Sequence, residues 1–176
     1  SKMGVSLNDG WNWLSFNMKD DNLSSVNTAM ASGTWTSDDI IKDNKYVDMY
    51  STKQKQWIGT LSKQGALNNT QMYKVRSSKS QTLSLAGEAV HPGETNITVG
   101  SGWNYISYLP LTSMSVNDAL KNYRAENGDV IKSQDAFATY STTNGWEGDL
   151  TTLTLGRGYM LMRSANASQT TFTYPV

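Results

Sequence analysis

The chain has 176 residues, no cysteine, and fifteen basic side chains balanced by fifteen acidic ones. A disulfide framework and a thiolate metal site are therefore excluded, and no run of like charge offers a phosphate-binding surface, so nucleic acid is not expected as a partner. No apolar run reaches membrane-spanning length, so membrane insertion is not expected, and 38% hydrophobic residues suffice for a folded core.

The opening Ser1-Lys2-Met3-Gly4 reads as a cut point from a longer protein. A strand is predicted at Gly10-Trp11-Asn12-Trp13-Leu14, with Trp11, Trp13 and Ser15 on one face and Asn12, Leu14 and Phe16 on the other. Both faces carry large apolar groups. The strand is thus expected to be covered on both sides, with its indoles in the core or between subunits of the fold. A weak helix follows over residues 24–30. Trp35 stands in a Gly/Thr/Ser loop, and two strands flank a turn at residues 53–56, with Trp57 just after it. Residues 72–75 and 81–85 form a second strand pair. A polar connector, residues 87–95, holds Pro92 and the single histidine, His91.

The same order then returns. Gly102-Trp103-Asn104-Tyr105 repeats Gly10-Trp11-Asn12-Trp13 at a distance of 92 positions. Ser115 caps a helix predicted over residues 115–123. Asp129-Val130-Ile131-Lys132 repeats Asp39-Ile40-Ile41-Lys42, and Tyr140 repeats Tyr50. Asn144-Gly145 marks a hairpin, Trp146 repeats Trp57, and Tyr159 repeats Tyr73. Residues 158–162 and 169–174 form the closing pair. Ordered matches with small drift identify a duplication. The expected fold is mainly β: a tandem duplication of a small β-sandwich or barrel-like unit with one short helix each. Residues 1–90 form the first repeat and 91–176 the second, packed with pseudo-twofold symmetry as a monomer.

The second copy, through Gly102-Trp103-Asn104-Tyr105, Gly128-Asp129-Val130-Ile131-Lys132-Ser133-Gln134, Gly145-Trp146-Glu147-Gly148 and Gly158-Tyr159-Met160-Leu161, resembles repeated β domains of large secreted or surface-attached proteins of Bacteroidetes-type bacteria. The first copy is looser, with Asp43-Asn44 in place of Ser133-Gln134. The resemblance implies a module of a larger exported protein, at the cell surface or secreted, often beside glycan-degrading or adhesive modules. It brings no catalytic residues.

His91 lies in the connector, away from any nucleophile on a rigid support, and no catalytic fingerprint is present, so an enzyme is not expected. Glu147 and Asp149 with Asp129 are the carboxylates a small hydrolase would use, but Ile58 and Thr60 replace the first two in the other half. Asp20-Asp21-Asn22 offers hard oxygens for a structural calcium, against the plainer reading of a polar turn; no other cofactor is expected. Aromatic side chains remain. A flat indole covers the apolar face of a sugar, and amide, ammonium and hydroxyl groups meet its hydroxyls. Trp57 and Trp146 at hairpin turns and Trp35 in its loop are the indoles expected at a surface, with Tyr140, Lys132 and Gln134 as neighbours. The expected role is a non-catalytic module binding carbohydrate. The alternative is a structural or protein-contact module, such as an adhesin segment or spacer.

Overall fold

The computed structural model describes residues 2–175. The first half runs β1 (Lys2–Leu7), β2 (Gly10–Leu14), α1 (Val26–Ala29), β3 (Ile40–Lys42), β4 (Val47–Ser51), β5 (Gln56–Gly59), β6 (Tyr73–Ser77) and β7 (Gln81–Ala86). The second runs β8 (Ile97–Val99), β9 (Gly102–Ser107), β10 (Met114–Ser115), α2 (Val116–Ala119), β11 (Val130–Lys132), β12 (Phe137–Ser141), β13 (Gly145–Gly148), β14 (Thr152–Leu153), β15 (Gly158–Arg163) and β16 (Thr170–Phe172). Each half builds one antiparallel five-stranded sheet, β2-β6-β3-β4-β5 and β9-β15-β11-β12-β13, and one two-stranded ribbon, β1-β7 and β8-β16. Strand order in the five-stranded sheet and the ribbon is the same in both, so the sequence repeat is a repeat of topology, to which the second half adds a short β10-β14 pair. The sheet and ribbon form a sandwich-like unit; there is no closed barrel.

Two expectations about strands need correction. Residues 72–75 and 81–85 do not pair with each other. β6 joins β2 and β3 in the sheet, whereas β7 leaves to pair with β1. The β15 and β16 strands separate in the same way. The opening segment, for which no strand is predicted, forms β1. Its alternate residues Met3, Val5 and Leu7 are buried, facing the core beside Leu83 and Leu85, as period-two patterning requires of a half-covered strand.

The helices are a single turn each. Ser25 and Ser115 accept the backbone N–H of Thr28 and Asp118, the expected N-cap geometry. Val26 and Ala29, and likewise Val116 and Ala119, seal one end of each core. Behind them Asn27 and Asn117 bond both backbone groups of Trp57 and Trp146, pinning each indole-bearing strand to its helix.

Each half has its own core. The first gathers Leu14, Phe16, Ile41, Tyr73, Val75 and the ribbon side chains; the second gathers Ile106, Tyr108, Ile131, Tyr159, Leu161, Phe172 and Tyr174. Between them runs a polar seam. Ser15 Oγ donates to the Arg157 carbonyl at 2.6 Å and accepts from the Tyr108 N–H at 3.0 Å. Arg157 Nη2 reaches the Ser6 carbonyl at 2.7 Å. The connector is bonded to the first half, Lys19 N to the Glu88 carbonyl and Val90 N to the Asn17 carbonyl. Equivalent positions meet across the seam: Met72 lies against Gly158, and Trp13 and Tyr105 flank one ammonium, Lys74. Such self-pairing is the mark of a twofold relation.

Candidate functional site

The placement of the aromatic side chains reverses the expectation. Trp35, Trp57 and Trp146 are only 9%, 3% and 7% exposed, whereas Trp11 and Trp103 are 38% and 47% exposed. The physical cause lies in Asn12 and Asn104. Gly10 and Gly102 sit at φ 107° and 85°, closing a tight turn ahead of each strand. Within that turn the Asn12 amide closes the loop: Asn8 N donates to its Oδ1 at 2.8 Å, and its Nδ2 donates to the carbonyls of Asn8, Gly10 and Val75. Asn104 does the same with Gly100, Gly102 and Leu161. A buried amide such as that of Asn12 is tolerated only when its groups are satisfied, and here they are, as they are at the half-buried Asn104. With Asn12 and Leu14 turned inward, alternation sends Trp11 and Trp13 outward.

The inward tryptophans are structural clamps. Trp57 packs edge-on against Trp35 and Tyr50 at centroid distances of 5.2 and 5.4 Å. Trp146 packs against Tyr140 at 5.3 Å and stacks on Tyr123 at 6.5 Å. Trp35 has no aromatic match in sequence because its spatial counterpart is Tyr123, which is equivalent to Gly33. A Cβ on Gly33 would lie 2.3 Å from the Trp35 ring, so the indole fills the space that Tyr123 fills in the other half. The Trp35 Nε1 donates to the Met30 carbonyl at 2.8 Å. Trp35, Trp57, Trp146 and Tyr140 therefore belong to the core side, although Trp35, Tyr50 and Trp57 edge a 400 Å³ depression with Lys55 and Gln56.

Lys132 and Gln134 do face the open side. Lys132 stands between Met160 and Phe137 on the outer face of the second sheet. Gln134 crosses the seam, and its Nε2 donates to the Trp11 carbonyl at 2.5 Å. It thereby walls a cleft of 670 Å³ between the halves. Trp13, Asn8 and Asn12 line one side; Gln134, Asp135, Asp149, Thr151, Thr152 and Arg157 are among the residues on the other. Beside the cleft the open faces continue. The first sheet shows Trp11, Trp13, Ile40, Lys42, Lys74 and Arg76, all partly or fully exposed. Lys42 lies 5.0 Å from the Trp11 ring, and Lys74 lies 4.8 Å from Trp13 and 5.2 Å from Tyr105. The matching positions of the second sheet are Trp103, Tyr105, Val130, Lys132, Met160 and Met162.

The carboxylates considered for hydrolysis are apart in role. Asp129 is fully buried, accepting from the Tyr123 hydroxyl at 2.7 Å, Glu126 N and Ser164 N, with Arg163 at 4.0 Å. Burial, followed by the hydrogen bond to Asp129, pushes the Tyr123 hydroxyl well above its ordinary pKa. Asp149 accepts the Phe137 N–H at the end of a hairpin. Asp20-Asp21-Asn22 begins a short 3-10 turn; the Asp20 side chain lies outside what the structure describes, and among the described residues no three acidic, histidine or cysteine groups come together as a cation cage. No helix is long and apolar enough to cross a membrane, among the residues described.

No family model matches the chain, and no curated protein and no solved structure is significantly similar to it.

Proposed function

We propose that the protein is a non-catalytic carbohydrate-binding module of a larger secreted or surface protein, and that its sugar platform is the pair of open faces rather than the hairpin tryptophans. The observation that carries this reading is the outward display of Trp11 and Trp103 from equivalent strands, each held in place by an asparagine that bonds the turn, Asn12 buried and Asn104 half-buried. An exposed indole is costly to maintain in water without a partner, and a sugar's C–H face is a fitting one. The seam cleft supplies amide, carboxylate, hydroxyl and guanidinium groups within reach of Trp13, the mixture that sugar hydroxyls require. Two platforms on one rigid body would bind a polymer more tightly than either alone.

The test is retention by a panel of soluble polysaccharides in affinity gel electrophoresis, repeated with Trp11→Ala, Trp103→Ala and the double variant. Retention by at least one glycan, weakened in each single variant and lost in the double, is the expected result. Unaltered retention in the double variant, or none by any glycan in the wild type, would overturn the proposal. The second reading, a protein-contact module, is favoured by Val47, Met49 and Ile58, which are exposed together on the outer strands of the first sheet.

A further inference from the structure

We infer that the open face of the first sheet selects acidic glycans, polymers bearing carboxylate or sulfate groups. This rests on the glycan reading and narrows its ligand. Six side chains on adjacent strands β2, β6 and β3 share that face: Trp11 and Trp13, Lys74 and Arg76, Ile40 and Lys42. Three are cations. The remaining open positions of this sheet, on β4 and β5, are Val47, Met49, Ser51, Gln56 and Ile58, so no strand position of the face is acidic; the carboxylates of Asp135 and Asp149 line the seam cleft that Trp13 borders. Among the described residues the ion pairs are Lys19–Glu88 and Arg163–Asp129; neither involves Lys42, Lys74 or Arg76. Arg76 spends one nitrogen on the Asp38 carbonyl at 3.0 Å.

The chain as a whole is neutral, so this concentration of positive charge is local. It is also specific to one copy. Where the first half has Lys74 and Arg76, the second has Met160 and Met162, and its outer strand carries Glu147. The cations lie over the rings, Lys42 over Trp11 and Lys74 over both Trp13 and Tyr105, so each covers part of an aromatic face. A sugar carboxylate or sulfate would draw each ammonium off its ring, pairing with the charge while the freed indole face takes the sugar's C–H face. Exposed charge pairs are individually weak, so useful affinity requires several along one polymer. Single-stranded nucleic acid would need a cationic stripe tracking a longer backbone, and here Met160, Met162 and Glu147 interrupt any such stripe at the neighbouring sheet.

The experiment compares polygalacturonate with its fully methyl-esterified, uncharged form, and adds a sulfated galactan and an oligothymidylate. The wild type is expected to prefer the charged polymers, with affinity falling as salt rises. Lys74→Met with Arg76→Met, which installs the second half's own residues, is expected to weaken binding to the charged polymers by about tenfold. Neutral-glycan binding should fall by less than binding to the charged polymers, and the melting temperature should stay unchanged. Equal binding of charged and uncharged forms, indifference to the double substitution, or tighter binding of oligothymidylate would overturn the inference. Binding of neutral glycans alone would leave the proposed function standing, whereas no binding of any glycan would remove both.

Discussion

The two open faces share a frame and differ in chemistry. Gly10, Asn12 and Trp11 are held as Gly102, Asn104 and Trp103 are, with the same amide bonds at the same turn. The strand alongside then diverges, cationic in β6 and thioether-bearing in β15. A similar contrast lies beneath the sheets. Asp39 is buried against neutral partners, the Ser78 hydroxyl and Thr36 N–H, whereas Asp129 is buried against Tyr123 and Arg163. Residues that shape the backbone are kept in both copies, and those that set charge are free to drift, because topology depends on the first group only.

That contrast can be tested by substitution. The largest effect is expected from Arg163→Ser, which gives the second half the residue at the equivalent position, Ser77. It leaves Asp129 buried without its cation, at a cost of roughly 3–5 kcal/mol in denaturant unfolding. A loss under about 1 kcal/mol would mean that the Tyr123 hydroxyl and the two N–H donors suffice alone, as neutral partners do for Asp39. Next come Asn12→Ala and Asn104→Ala. Each strands several backbone groups at its turn, and each should cost about 1–3 kcal/mol, by similar amounts. A large inequality between them would break the equivalence of the two turns. The smallest effect is a gain. Lys55 holds φ 56° at the end of its hairpin turn, where the other half has its positive φ one position later in register, at Gly145 with 77°. Lys55→Gly should therefore raise stability by about 1 kcal/mol in thermal unfolding, since a side chain in the left-handed region is strained. Destabilisation instead would show that Lys55 makes a contact worth more than that strain.

The duplication, the Ser115 cap and the Asn144-Gly145 hairpin were legible in the chain because each depends on local spacing and backbone preference. The inside and outside of the GWN strands were not. Trp11 and Trp13 alternate with Asn12 and Leu14, and by residue type the tryptophan side looks like the core. Only the three-dimensional turn shows that Asn12 substitutes for backbone partners and is the buried member. Trp35 was hidden for a different reason. Its counterpart Tyr123 is displaced by two positions in sequence, and the exchange works only because Gly33 vacates the space. The pairing of β1 with β7 joins opposite ends of the first copy, beyond the reach of any local pattern.

The contact between Met72 and Gly158 bears on how such a molecule could arise. A Cβ at position 158 would lie 1.9 Å from Met72 Cγ, so the two equivalent sites cannot both carry a bulky side chain as the seam now stands. In a homodimer of separate identical chains, whatever occupies a site on the axis must face its own copy. Covalent linkage of the copies lifts that constraint. One partner can keep a methionine while the other shrinks to glycine, an unequal pairing that two identical subunits could not make at that site.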